Sequence, residues 1–372
     1  ASQHAASRVY PVGMQGKAPR QPRVAPRWGA VSAMVLALFV VCASTLFLMR
    51  QPPTPPQVAA GEVPTVTPQS SPDQATGLHV YLVPHPDDEL SAWTSLIEGG
   101  DLHPVMVVLT QGEATDRCEV TEYSIHLATG LGEIPPRPDP STEEATAATC
   151  REARMSSFQE VLTTATVHTP AVALDWAHSR FVEVGGHPVT VVPGMAATLL
   201  LLDLGDDTLT ADRVEEMTRL LLESTDVGLP DLPVTRVTAS AYYATQHAAD
   251  RSSCSDTAVC LPGEPSYVFD RPDHLAARDA ARSLAPLTEE GSWLVTHPDD
   301  LAASRHLALP VPIYQQFMGL GPGDPPTAQR LGSYQQAYGW LAFPDAWRPG
   351  DLPLERFQVL FPRVQSYEVV TP

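Results

Sequence analysis

Lysine is all but missing from this chain: Lys17 is the only one in 372 residues. A lysine nucleophile or a Schiff base is thereby excluded from everything beyond the first fifty residues. Positive charge of any kind is scarce there. Six of the 23 basic residues (Arg8, Lys17, Arg20, Arg23, Arg27 and Arg50) lie within residues 1–50, which leaves 17 against 43 acidic residues in the remainder. Phosphate binding needs the opposite sign, so no nucleic acid is expected as a partner. No repeat of solenoid length is visible. No pair of cysteines has the spacing of a structural zinc knuckle.

The first fifty residues lack charge of the other sign, holding no Asp or Glu. Within them, Trp28 to Met49 is an uncharged stretch rich in Val, Leu, Ala and Phe. At about 1.5 Å per residue it reaches roughly 33 Å, enough to cross a bilayer core. Basic residues precede it and an acidic body follows. The positive-inside rule then makes 1–27 a basic cytoplasmic tail, 28–49 a transmembrane signal anchor, and the body extracytoplasmic. A cleaved signal peptide ending near Val41-Cys42-Ala43 is the competing reading, and lipid attachment at Cys42 is disfavoured by the bulk of Val41. Cys118, Cys150, Cys254 and Cys260 lie beyond the apolar segment, and four exported cysteines can form two disulfides. Of three connectivities, the favoured one closes a small loop with Cys254–Cys260 and a longer one with Cys118–Cys150.

Residues 50–77 are rich in Pro, Thr and Gln (Gln51-Pro52-Pro53-Thr54-Pro55-Pro56, then Val63-Pro64-Thr65), cannot bury a core, and read as a stalk. Residues 78–372 read as one domain. Leu78 to Val83 is an apolar strand, 89–98 a helix, and His103 to Thr110 a second buried strand, which together make a βαβ unit. Further on, helices are expected over Thr142–Thr163, 210–223 and Asp273–Leu284. Strands are expected at Val234–Tyr243 and Trp293–Thr296, with a hairpin around Pro193-Gly194. The alternation predicts an α/β fold with a doubly wound, mostly parallel, Rossmann-like sheet and helices on both faces. Ligands in such sheets sit beyond the carboxyl ends of the strands.

That edge is where the first strand delivers His85-Pro86-Asp87-Asp88-Glu89. Imidazole and carboxylate are zinc ligands, and a catalytic site needs a further carboxylate as general base. Asp88 alone would suffice as a helix cap; a histidine and two more carboxylates exceed that need. With these residues the chain resembles the PIG-L/LmbE-like zinc-dependent deacetylases of N-acetylglucosamine conjugates, over about residues 78–300. The resemblance also rests on Leu109-Thr110-Gln111-Gly112-Glu113, on Arg151-Glu152, and on Arg271-Pro272-Asp273-His274. It implies zinc held by His85, Asp88 and His274, Asp87 as the base that activates water, and Glu113 near the pocket.

One position departs from the family. Where its late motif begins with a histidine beside the tetrahedral intermediate, this chain has Arg271. Arginine stabilises negative charge but is a poor proton donor at neutral pH. Tyr267 and His247 are further candidates for that pocket. A second run, His297-Pro298-Asp299-Asp300, lacks the glutamate and reads as an echo. The expected activity is removal of an N-acetyl group from an amino-sugar glycoconjugate. The alternatives are hydrolysis of another acyl-amine and carbohydrate binding without catalysis.

Overall fold

The computed structural model describes residues 75–113, 146–169, 172–240, 260–261, 264–265, 272–296, 303–319, 332–338 and 363–372. The first two apolar runs form β1 (Gly77–Val83) and β2 (Leu102–Val108), paired in parallel from Gly77↔Leu102 to Val83↔Val108. The helix expected over 89–98 is divided into a 3-10 turn at Glu89–Ala92 and α1 (Trp93–Glu98). Ala92, at φ −127°, lies outside the helical range and separates them. α2 (Ala147–Ala165) starts where Thr146 caps it, its hydroxyl accepting the Thr149 N–H at 3.2 Å. The expected start at Thr142 lies outside the described residues.

β3 (Arg180–Val184), β4 (His187–Pro193) and β5 (Thr198–Leu201) run antiparallel to one another in turn. β4 and β5 are the expected hairpin; β3 is an addition to it. Next come α3 (Ala211–Glu223), β6 (Val234–Ala239), the two-residue strands β7 (Cys260–Leu261) and β8 (Glu264–Pro265), α4 (Pro272–Leu284) and β9 (Ser292–Thr296). β10 (Arg305–Ala308), α5 (Val311–Met318), α6 (Ser333–Tyr338) and β11 (Val364–Val370) follow, in a region to which the sequence assigned no element.

Nine strands form one sheet in the order β10-β11-β9-β6-β1-β2-β5-β4-β3. The five central strands are parallel. Both flanks are antiparallel. The parallel expectation therefore holds for the centre, and the whole sheet is mixed. Strand alternation divides the core between two faces. Tyr81, Val83, Met106 and Val108 pack with Trp93, Phe158, Val161 and Tyr334 on one side. Leu78, Val80, Leu82, Val105 and Val107 pack with Val214, Met217, Ala277 and Ala281 on the other. Helices thus cover both faces: α1, α2, α5 and α6 on the first, α3 and α4 on the second.

From β1 the chain moves to β2 on one side and later returns to β6 on the other. The carboxyl ends of β1 and β6 therefore flank the crevice where such sheets bind ligands. Residues 28–49 lie outside the described residues, and among the described ones no helix is long and apolar enough to cross a membrane.

Candidate metal centre

β1 ends at Val83, and the chain turns at once: the Asp88 N–H donates to the His85 carbonyl at 3.2 Å. The His85 N–H in turn donates to Asp88 Oδ2 at 3.2 Å. This closed turn buries His85, Asp87 and Asp88 at the sheet edge. α4 opens opposite with Asp273 and His274, both buried in its first turn.

Three side-chain atoms meet there. His85 Nδ1 lies 3.1 Å from Asp88 Oδ2, His274 Nε2 lies 3.1 Å from the same oxygen, and the two ring nitrogens are 3.2 Å apart. The three can hold a metal ion. On its far side, His85 Nε2 faces Asp206 Oδ1 at 2.9 Å and Asp273 Oδ2 at 3.0 Å. These two carboxylates and Nε2 form a second group of possible ligands. We take the first group as the metal position, because the second has another task. With a metal ion at Nδ1, the two carboxylates would keep the ring's remaining proton on Nε2 and fix the ring's orientation. Asp273 is itself pinned, Oδ1 accepting the Leu209 N–H at 2.9 Å and Oδ2 the Asp207 N–H at 2.7 Å.

Burial disfavours charge on His85, but the hydrogen bonds its ring donates to Asp206, Asp273 and Asp88 outweigh it and raise its pKa. Burial would likewise raise Asp88, yet His274 and His85 hold it well below the usual carboxylate range. Asp87 goes the other way. Burial, then the neighbouring charge of Asp88, pushes it up to about 7 against the pull of Arg154 and His85. Its Oδ1 makes no hydrogen bond among the described residues; Arg154 Nη1 stands 3.7 Å away. Burial also keeps Glu89 well above its ordinary value. Asp87, Asp88 and Glu89 thus act on one another, with Asp206 acting on Asp87 as well, and among the described residues Arg154 is the guanidinium beside Asp87. A buried charge costs several kcal/mol unless compensated, and a cation held by His85, Asp88 and His274 would favour the charged form of Asp87.

Glu113 Oε1 accepts the Asp206 N–H at 3.0 Å, and Asp206 faces His85 in turn. Gly112, at φ +68°, makes room for Arg154: a Cβ there would collide with the Arg154 side chain. Arg151 pairs with Asp203 Oδ2 at 3.0 Å, partly exposed. Arg271, His247 and Tyr267 lie outside the described residues, as do Cys118, Cys254 and His297-Pro298-Asp299-Asp300. Cys150 is disulfide-bonded; its expected pairing with Cys118 falls on a residue outside the described ones.

The sequence reading assigned His85, Asp87, Asp88, His274 and Glu113 to the site, named Asp273 only as part of the late motif, and missed Asp206 and Arg154. Asp206 had a usable signal. It follows β5 in Leu204-Gly205-Asp206-Asp207, and the strand-end rule applied to β1 applies to β5 as well. The chain matches no protein-family model, no curated protein and no solved structure.

Proposed function

We propose that this chain is a zinc-dependent hydrolase that removes the N-acetyl group from an N-acetylglucosamine-containing glycoconjugate outside the cytoplasm. The observation that carries the reading is the buried triangle of His85 Nδ1, Asp88 Oδ2 and His274 Nε2, with a carboxylate, Asp87, close enough to feel the charges of Asp88 and His85. Ligands about 2.0–2.1 Å from a tetrahedral zinc ion lie about 3.3–3.4 Å apart, close to the edges found here. Calcium and magnesium want six or more oxygens, which this nitrogen-rich set does not supply.

Zinc, when bound, supplies a Lewis acid that polarises the amide carbonyl and brings the pKa of water toward neutrality. The side chains do the rest. Asp206 and Asp273 fix the ring of His85. Asp87, with a pKa of about 7, takes a proton from the attacking water and passes it to the departing amine. Water's oxygen ends on the acyl carbon, so one acetate and one free amino sugar result. Arg154 places positive charge beside the base, and in the sequence Arg271 stands where the family's late motif has its proton-donating histidine. Asp87 therefore carries the proton both ways.

The amino-sugar substrate is supported by the resemblance of the His85, Thr110–Glu113 and Asp273-His274 motifs. The extracytoplasmic location is supported by the charge asymmetry around residues 28–49 and by the disulfide at Cys150. The test is acetate release by the full-length, zinc-loaded protein from a panel of N-acetylglucosamine conjugates. Release that chelation abolishes and zinc restores is expected. Release of a different acid from another acyl-amine would move the substrate; saturable sugar binding with no release would overturn the hydrolase.

A further inference from the structure

The backbone of Asp87 is the one place in the motif where the chain is strained. Its φ is +137°, a region that side-chain-bearing residues rarely adopt. Strain of this kind persists only where the surroundings hold it. Here both peptide groups of the residue are held. The Asp87 N–H donates to Glu89 Oε2 at 2.8 Å. Its carbonyl accepts from the Tyr334 hydroxyl.

Glu89 belongs to the motif itself, but Tyr334 comes from α6, near the end of the chain and beyond the span of the family resemblance. α6 is well placed for the task. Tyr334 and Tyr338 lie one turn apart on the same buried face, with ring centroids 4.8 Å apart. The Ser157 hydroxyl of α2 donates to the Ala337 carbonyl and ties α6 down. Both tyrosines are fully buried in the core beneath the metal centre.

We propose that Tyr334 is a positioning residue: its hydroxyl holds the strained Asp87 backbone so that the carboxylate stands free beside the metal triangle. The catalytic part of this inference rests on Asp87 being the base, and the clamp itself does not. Two measurements on the full-length protein therefore separate them. The first is a double-mutant cycle of unfolding with Tyr334→Phe and Asp87→Gly, which needs no activity. Glycine adopts this φ without strain. Removing the hydroxyl should therefore lower the unfolding midpoint less with Asp87 present, where strain is released, than with glycine. Equal shifts, or a reversed order, overturn the clamp.

The second is turnover. Tyr334→Phe should keep one zinc per chain and a KM within about twofold of wild type, while kcat falls on the order of 10–100-fold, as for a misplaced catalytic group. Tyr314→Phe removes another buried hydroxyl from the same core and should leave kcat unchanged. Unchanged kcat in Tyr334→Phe, or a loss matched by lost zinc, overturns the positioning role. If wild type releases no acetate, the hydrolase reading fails and the cycle still decides the clamp. If Tyr334→Phe does not fold, 4-aminophenylalanine at 334 keeps a donor. Turnover within about threefold of wild type then supports the role, and lost turnover with zinc retained overturns it.

Discussion

β1 and the turn that follows it each bury a histidine, and the two have opposite chemistry. His79 sits within the strand, its Nε2 at 2.8 Å from Thr238 Oγ1, with no carboxylate paired to it among the described residues. Burial first, and Arg236 second, hold its pKa well below the ordinary value, so it is a neutral core residue. His85 is as deeply enclosed, but Asp88, Asp206 and Asp273 surround its ring and push its pKa up. Burial alone makes a histidine inert. The carboxylates around His85 hold a proton on the ring that a metal ion at Nδ1 would displace.

The comparison breaks most visibly on metal content. His274→Ala should abolish stoichiometric zinc in elemental analysis of purified protein, whereas His79→Gln should retain one ion per chain. If His79→Gln lost its zinc, the two histidines would not be the separate cases described. Next in size is the base. Asp87→Asn keeps its shape and cannot take a proton, so it should hold zinc while kcat falls about 10²–10⁴-fold, roughly 3–5 kcal/mol of barrier. A variant that lost metal instead would make Asp87 a ligand.

Asp273→Asn sharpens the contrast at His85 itself. It weakens the grip on Nε2 without touching the triangle, and zinc affinity should drop about 10–100-fold in competition with a chelator. An unchanged affinity would reduce Asp273 to a clasp for the 207–209 backbone.

The smallest effect belongs to His79. Its folded pKa is depressed, so below the ordinary value of 6.5 the unfolded chain binds a proton that the folded chain refuses. Stability contributed by neutral His79 is therefore present above pH 6.5 and is lost as pH falls below it. The slope is at most about 1.4 kcal/mol per pH unit. Chemical denaturation between pH 5 and 7 should show a shallower pH dependence for His79→Gln than for wild type. Parallel curves would mean that His79 is not the group responsible.

What the sequence made legible was the parallel centre and the motif at its mouth. Strands such as Leu78–Val83 and His103–Val108 are buried on both faces and read as largely apolar runs, each with one histidine. The flanks carry no such signal. β3, Arg-Phe-Val-Glu-Val, leaves most of its residues exposed on the sheet edge, and β11, Val-Gln-Ser-Tyr-Glu-Val-Val, mixes polar and apolar residues. The site was legible where its residues are neighbours in sequence, as in His85–Glu89. Asp206, Arg154 and Tyr334 reach it from separate elements, each in unremarkable local sequence. Only the sheet order brings them together.

β11 has a consequence for how the chain is made. It lies between β9 and β10 and pairs with both. The Gln365 side chain accepts the Thr94 N–H at 2.7 Å and donates to the Leu90 carbonyl at 2.6 Å, bracing the turn that leads out of the motif. During synthesis β10 leaves the ribosome well before the strand that must separate it from β9. The parallel centre can assemble as it emerges, while β10 waits with its edge unpaired. The stretch from Arg305 to Val364 is thus the interval in which this chain is most exposed to mispairing, and where a holding chaperone would matter most.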